Sequence, residues 1–287
     1  MPMTLRTKLA TLVWLITCLS PSAHAEGSND VETLLQRNEM QKVEAFFAGV
    51  QKSFESGQFP EGNLREVFRL FHDMDVESEK NLESWADRSP TSYVAHLALG
   101  THYLRKGWKV RGGGYVSQVG PNHLDEMTTY LQKADRELSA SLSLTTKPYL
   151  SALYLIDVYG LVGQRDLLKA SLMRANAALP SNALARRAYV NYLLPRWGGS
   201  YRELDEFIES TRREGISSSV TMQLEALKYN DMGSELEERG EHAAAREKFE
   251  QALQLGEKVG GRFSIESLRA SRKYMCSGEQ GSKSYCH

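Results

Sequence analysis

The sequence has no apolar run long enough to cross a membrane near its N-terminus. The run from Leu9 to Leu19 is too short for a hydrocarbon core of about 30 Å. Two basic residues, Arg6 and Lys8, precede this run, and an Ala-His-Ala triplet ends at Ala25. A basic start, a short apolar run and small residues before a cut are typical of a secretory signal peptide. We therefore expect export to the periplasm or the medium, with cleavage after Ala25.

An alternative way of processing the leader centres on Cys18. The residues before it, Leu15, Ile16 and Thr17, loosely resemble a lipobox, in which the cysteine would carry lipid. Thr17 is a poor residue at its position in such a motif. We therefore favour a cleaved leader and no membrane insertion of the mature chain.

Neither sign of charge is in large excess. The 35 basic and 36 acidic residues give a formal net charge of −1. Loss of Arg6 and Lys8 with the leader changes this charge to −3. A chain with this balance has no basic footprint for nucleic acid and no basic face for anionic lipid. The charge pattern therefore favours neither of these partners.

Cysteine is scarce, with three residues in 287. Once Cys18 is removed, Cys276 and Cys286 remain, and an even pair in an exported protein predicts a disulfide that closes a short C-terminal loop. A zinc site that adds His287 is the alternative. It lacks a fourth ligand and the close spacing of a zinc knuckle. We expect no metal, no cofactor and no free cysteine for nucleophilic chemistry.

Alternating strand patterns bounded by turn residues are also missing, which argues against a sheet. Apolar residues instead recur at steps of three and four from Val31 to Phe54, the pattern of an amphipathic helix. Gly57 ends this helix, and further helical stretches follow up to Pro90. The chain is predicted to be all-α.

The C-terminal half repeats itself with a period of about 34 residues. The clearest unit spans residues 226–259. It combines a small residue at Gly233, a turn at Gly240 and the spacing A-x3-F-x2-A-L from Ala245 to Leu253. Similar units start at Tyr93, Tyr149 and Ala183. This pattern predicts helix-turn-helix repeats like those of tetratricopeptide proteins, stacked into a right-handed superhelix with a groove.

Two repeats contain longer corners that are rich in glycine and aromatic residues. One corner holds the sequence WKVRGGGY at residues 108–115, and the other holds PRWGGSY at residues 195–201. Insertions in repeat proteins fall on loops of one face, which is often the binding face. Both corners are therefore candidate contact sites.

These motifs resemble those of a known family. The spacing W-x4-P-x2-Y-x6-G from Trp85 to Gly100, followed by the two glycine-rich corners, is similar to a family of exported bacterial proteins described as a domain of unknown function. The similarity extends over residues 30–260. It implies TPR-like helical repeats and carries no activity, substrate or catalytic residue.

Catalytic motifs are not evident. Neither glycine-rich corner follows a strand or has the spacing of a nucleotide-binding loop. His96 and His102 lie six residues apart and do not share a helix face. The acidic runs at residues 205–206 and 235–238 are interpreted as solvated helix faces. The corner around Trp197 is expected to pack on the core, with Arg196 capping carbonyls or pairing with an acidic neighbour.

The sequence thus divides into a leader (1–25), an N-terminal helical region (26–92), TPR-like repeats (93–260) and a C-terminal helix with a disulfide-closed tail (261–287). Our hypothesis is a scaffold or adaptor that binds a protein or peptide of the cell envelope. The expected contacts combine arginine with aromatic residues, as interface hot spots do: Trp108, Arg111, Tyr115, Arg196, Trp197 and Tyr201. One alternative is an envelope enzyme acting on peptidoglycan or glycan, with carboxylates of raised pKa near the RGGGY corner. Another is a structural spacer that binds nothing.

Overall fold

A computed structural model describes residue 31, residues 33–112, 120–260, 263 and 267–276. Throughout this part of the chain the regular structure is helical and no strand is present, so the all-α prediction is confirmed. Neighbouring helices along the chain pack against each other, as expected of a helical repeat array. The same part of the chain holds no helix that is long and apolar enough to cross a membrane. The predicted leader, Tyr115 and Cys286 lie outside the described residues.

The α-helices are numbered here in chain order. The first six are α1 Met40–Glu55, α2 Glu61–Phe68, α3 Val76–Arg88, α4 Tyr93–Arg111, α5 Pro121–Ser141 and α6 Tyr149–Leu161. The next six are α7 Arg165–Ala178, α8 Leu184–Asn191, α9 Tyr201–Arg213, α10 Ser218–Glu238, α11 His242–Val259 and α12 Arg269–Cys276. Short 3-10 helices follow α2 (Arg69–Phe71) and α8 (Pro195–Trp197).

The chain forms two compact units, Met1–Val158 and Tyr159–His287, and the division falls within α6. In the first unit, the apolar stripe of α1 buries Val43, Phe47 and Val50. The Phe47 ring lies 4.8 Å from that of Phe68 and 4.7 Å from that of Phe71. The three- and four-residue steps seen in the sequence therefore mark a real core-facing side of this helix.

Two helices of the first unit, α3 and α4, start with a side-chain cap. Asp75 accepts a hydrogen bond from the backbone N–H of Ser78 at the start of α3, at 2.8 Å. Ser92 accepts one from the N–H of Ala95 at the start of α4, at 3.0 Å. Each bond satisfies a backbone donor that has no partner within the helix. Together they fix the first residues of two helices that form the candidate site.

Glycines let α4 and α5 approach closely. A Cβ atom at Gly100 would lie 2.7 Å from Cγ of Leu138, and one at Gly107 would lie 3.2 Å from Cδ2 of Leu131. Gly100 and Gly107 are two helical turns apart, so they lie on the same side of α4. At Gly100 a side chain would require Leu138 to shift, and at Gly107 the contact with Leu131 would be tight.

The second unit contains the repeat that is clearest in the sequence. Ala245 and Phe249 on α11 are buried, and a Cβ at Gly233 of α10 would lie 2.5 Å from Cδ1 of Phe249. Gly240 lies in the turn between α10 and α11 and has a φ of +76°, a left-handed conformation that glycine adopts without strain. The small residue, the turn glycine and the phenylalanine therefore have the places that the 34-residue pattern predicts.

Candidate functional site

Polar and aromatic side chains from three helices of the first unit form one connected group, in which Tyr103 and Glu137 are buried and the other members are partly exposed. Their spacing places them on one side of each helix, because residues three, four and seven apart share a face. We call this set the α3–α4–α5 surface, and its members are Glu79, Glu83, His96, Tyr103, Lys106, Tyr130, Lys133 and Glu137. Tyr103 and Lys106 of α4 lie in the middle and contact residues of both neighbouring helices.

Glu79 lies against a lysine and a histidine of α4. Its carboxylate oxygens lie 2.7 and 2.9 Å from Nζ of Lys106, and Oε2 lies 3.3 Å from Nε2 of His102. Burial alone would raise the pKa of Glu79, but the hydrogen bond from Lys106 and the His102 ring outweigh it, so the pKa lies below its usual 4.5. The buried His102 ring is oriented by Nδ1, which donates to the carbonyl oxygen of Phe71 at 3.2 Å.

Two tyrosines and two lysines alternate across the centre of the surface. The rings of Tyr103 and Tyr130 are stacked, with centroids 6.4 Å apart. Nζ of Lys133 lies 4.8 Å from the Tyr103 centroid, and Nζ of Lys106 lies 4.6 Å from the Tyr130 centroid. The Tyr103 hydroxyl donates to Glu83. Burial, followed by the neighbouring Glu83, raises the pKa of Tyr103, so this hydroxyl remains a donor.

The surface ends at Glu137 on α5. Its Oε2 lies 2.8 Å from Nδ1 of His96, and its Oε1 accepts from Nε of Arg136 at 2.8 Å. The other ring nitrogen of His96 faces the carbonyl oxygen of Pro90 at 3.2 Å. Glu137 is therefore a buried carboxylate whose two oxygens are both occupied.

The arrangement suits recognition better than acid catalysis. A glycosidase needs a carboxyl group with a raised pKa as its general acid, and the pKa of Glu79 is shifted in the opposite direction. In the described ranges, no group of three or more His, Cys, Asp or Glu side chains is arranged to hold a metal ion. The surface combines aromatic rings, ammonium donors and carboxylate acceptors, the groups that interface hot spots use.

Two of the predicted contact residues of the first glycine-rich corner, Trp108 and Arg111, lie at the end of α4. The Arg111 guanidinium is 5.7 Å from the Trp108 ring, and its Nη1 donates to the carbonyl oxygen of Gly112 at 3.1 Å. Arg111 is 9% exposed, whereas Trp108 is half-buried. Gly112 ends the helix with φ of +69°. Arg111 therefore supports Trp108 and closes the helix, and the indole is the more accessible of the two groups.

The second corner, residues 195–201, is an ordered turn. A 3-10 helix covers Pro195–Trp197, and Gly198 follows in the left-handed region with φ of +80°. The N–H of Gly199 donates to the carbonyl oxygen of Leu194 at 3.2 Å, and a Cβ at Gly199 would lie 2.1 Å from the carbonyl oxygen of Leu193. Ser200 then caps α9 by accepting from the N–H of Glu203 at 3.2 Å. Glycine is therefore required at position 198 for its positive φ and at position 199 because a Cβ atom would not fit.

Arg196 and Tyr201 of this corner both contact Asp231 on α10. Nη2 of Arg196 lies 2.7 Å from Oδ1 of Asp231, and the Tyr201 hydroxyl lies 3.0 Å from Oδ2. The same hydroxyl is 2.9 Å from Oε2 of Glu235, one turn further along α10. Burial raises the pKa of Asp231, and the nearby Arg196 only partly offsets this effect. The corner is therefore fastened to α10 through one buried carboxyl group.

Trp197 packs inward. Its ring makes an edge-on contact with Tyr192 at 5.2 Å between centroids, and it lies against the apolar core of the second unit. Arg165 adds a further link, because its Nη1 donates to the carbonyl oxygen of Gly198 at 3.2 Å and its Nη2 to Glu203 at 2.9 Å. The expected packing of Trp197 on the core agrees with this geometry.

Comparison with known proteins locates one family in this region. Residues 168–231 match the model of a domain of unknown function (DUF4034). The matched segment runs from α7 to Asp231 in α10 and includes the second glycine-rich corner. No curated protein and no solved structure matches the chain. The match agrees with the resemblance to a domain-of-unknown-function family and assigns no activity.

Sequence reasoning missed most of the α3–α4–α5 surface. Tyr103 and Tyr130 fall within the repeat that starts at Tyr93, where the repeat pattern alone gives them no functional role. The interpretation of residues 235–238 as a solvated helix face does not hold for Glu235, which accepts from Tyr201. The available signal was the spacing of Glu79 and Glu83 on α3, and of Tyr130, Lys133 and Glu137 on α5. Such spacing is equally typical of an exposed helix face. Only the packing of α3, α4 and α5 in the structure distinguishes a connected group of side chains from an exposed helix face.

Proposed function

We propose that this chain is an exported helical-repeat protein that binds a peptide segment of another cell-envelope protein on its α3–α4–α5 surface. The observation that supports this proposal is the central group of two stacked tyrosines flanked by Lys106 and Lys133. In this proposal the protein acts as a scaffold or adaptor, and export follows from the leader that the sequence predicts.

The composition of the surface is hard to explain by stability alone. Partly buried ion pairs such as Lys106–Glu79 contribute little net stability, since removing the charges from water offsets their attraction. Well-packed apolar residues would stabilise these helices as well or better. The polar groups therefore support a role in recognition.

The chemistry of the surface fits an extended peptide. The partly exposed ring of Tyr130, which stacks on the buried Tyr103, gives contact area with little loss of side-chain entropy. Lysine ammonium groups donate to peptide carbonyl or carboxylate oxygens. Glu83, which is half-buried, accepts hydrogen bonds and is available to peptide N–H groups beyond its contact with Tyr103. A peptide main chain offers both donors and acceptors along its length.

The residues of the two glycine-rich corners have different proposed roles in contacting a partner. Trp108 is half-buried at the end of α4 and is proposed, with Tyr115, to extend the contact. Arg111 holds Trp108 in place. In the second unit, the Arg196 side chain is 47% exposed and is accessible to a partner. Trp197 packs on the core of this unit, and the Tyr201 hydroxyl bonds to Asp231.

The test is selection of peptides from a displayed random library on the purified mature chain, residues 26–287. Lys133→Ala is the informative variant, because it removes a ring contact without leaving Glu79 unpaired. Lys52→Ala, which removes an exposed lysine of α1, is the matched control. We expect Lys133→Ala to weaken the selected peptides about tenfold, a loss of about 1.4 kcal/mol.

Circular dichroism melting of each variant separates binding from folding. The proposal requires that Lys133→Ala melts like the parent protein and that Lys52→Ala binds like it. Equal affinity of the selected peptides for both variants would overturn the assignment of this surface.

A further inference from the structure

One hydroxyl group in the second unit lies between two carboxyl groups. The Tyr201 oxygen is 3.0 Å from Oδ2 of Asp231 and 2.9 Å from Oε2 of Glu235. Both are hydrogen-bond distances, and each requires one hydrogen between the two oxygens. A phenol carries a single hydrogen, and an ionised carboxylate carries none. One further proton is therefore needed to satisfy both contacts.

Burial indicates where that proton resides. The Asp231 side chain is 7% exposed, and the Glu235 side chain is 36% exposed. Glu235 also forms an ion pair with Arg239, the residue that follows α10. Asp231 is the carboxyl group for which ionisation costs more, because burial disfavours its charged form.

The charged and titratable groups around Asp231 come from three parts of the unit. Arg196 approaches from the corner and Tyr201 from α9, while Glu235 and Glu238 lie on α10 itself. Arg196 favours the charged form of Asp231, and the two glutamates disfavour it. With burial added, the balance favours the neutral acid, and the pKa of Asp231 is raised from its ordinary 3.8.

We propose that a protonated Asp231 donates to the Tyr201 oxygen, that Tyr201 donates to Glu235, and that this proton fastens the corner at residues 195–201 to α10. Oδ1 of Asp231 remains an acceptor for Arg196 in this state, so all the contacts are satisfied together. When the proton leaves, two negative oxygens face one hydroxyl hydrogen, and one of the two contacts of Tyr201 is lost. The corner then loosens, which makes it a pH-sensitive element of the fold.

This inference is independent of peptide binding on the first unit. Its direct test is ¹³C NMR of the aspartate and glutamate carboxyl carbons of the mature chain across a pH titration. We expect the Asp231 carbon to titrate at a pH above 3.8, the ordinary value for aspartate. Titration of Asp231 at or below that value would overturn the proposal, whatever the variants do.

Hydrogen exchange of the corner tests the consequence. The N–H groups of Gly198 and Gly199 bond to Pro195 and Leu194 and report on the closed corner. In the parent protein their protection factors should fall as pH rises through the titration of Asp231. Asp231→Asn should abolish this change, because its amide donates to Tyr201 and accepts from Arg196 at every pH.

Glu206→Gln is the matched control. It removes the same charge from an exposed residue of α9, whose carboxylate pairs with Arg202 of the same helix. It should therefore keep the pH dependence of the parent protein. A pH dependence of protection in Asp231→Asn equal to that of the parent would contradict the proposed role of the proton. If Asp231→Asn does not fold, the carboxyl titration of the parent protein decides alone.

Discussion

Gly100 and Leu138 bring α4 and α5 into direct contact, because a Cβ atom at Gly100 would lie 2.7 Å from Cγ of Leu138. Leu138 is fully buried and cannot move aside. The contact positions the two helices so that Tyr103 stacks on Tyr130 at their shared surface. One small residue therefore determines both the core spacing and the geometry of the candidate site.

The first prediction concerns this contact. Gly100→Ala should reduce the free energy of unfolding of the mature chain by about 1 to 2 kcal/mol, because overpacking outweighs the better helix propensity of alanine. Gly49→Ala is the control, since a Cβ at this helical position of α1 meets nothing within 4 Å. It should stabilise by up to about 1 kcal/mol. Urea unfolding of both variants checks the pair, and two changes of the same sign would refute the steric explanation.

The spacing of glycines was the part of the fold that the sequence predicted best. A small residue opposite a large apolar one is a local requirement of helix pairing, so Gly233 and Phe249 could be matched from the repeat pattern alone. The contacts within the α3–α4–α5 surface could not be predicted in this way. Whether Glu79 meets Lys106 or faces water depends on the register of α3 against α4, which no local pattern encodes.

The second glycine-rich corner shows the same division. Its glycines indicate a corner between two helices, and the structure has a 3-10 turn there. The partner of Arg196 was expected to be a carbonyl group or an acidic neighbour. It is Asp231, which is distant in sequence and reached only through the packing of α9 on α10.

The second prediction tests the tight backbone of this corner. Gly199→Ala should destabilise the second unit by roughly 2 kcal/mol or more, because the new Cβ would lie 2.1 Å from a backbone carbonyl oxygen and the backbone must shift. Trp197 fluorescence reports on this unit, in a background where Trp85 and Trp108 are replaced by phenylalanine. Gly62→Ala, whose Cβ meets nothing within 4 Å, should leave the Trp197 signal unchanged. An unchanged midpoint in Gly199→Ala would contradict the packing described.

The third prediction concerns acid and the first unit. The pKa of Glu79 lies below 4.5 in the folded state, so its contribution to stability is present above that pH and is lost as the pH falls through the folded value. Glu79→Gln should remove part of the acid sensitivity of unfolding, measured by urea titration at several pH values. Glu77→Gln is the control, because Glu77 is an exposed residue one turn before Lys80. An acid profile in Glu79→Gln that matches the parent protein would contradict this role.

The fourth prediction has the opposite sign and concerns the second unit. The pKa of Asp231 is raised, so its contribution to stability is present below 3.8 and is lost as the pH rises through the folded value. Acidification within the window above 3.8 should therefore stabilise the second unit, as followed by Trp197 fluorescence. In Asp231→Asn this gain should vanish. A loss of stability of the second unit on acidification in that window would contradict the sign.

The most direct test of peptide binding on the α3–α4–α5 surface is hydrogen exchange of the mature chain with and without a peptide from the displayed library. Peptide binding on this surface should slow exchange in the complex at residues 79–83 of α3, 103–106 of α4 and 130–137 of α5. Lys133→Ala should reduce this protection at the same peptide concentration, whereas Lys52→Ala should not. Protection confined to other helices, or protection that is equal in both variants, would contradict peptide binding on this surface.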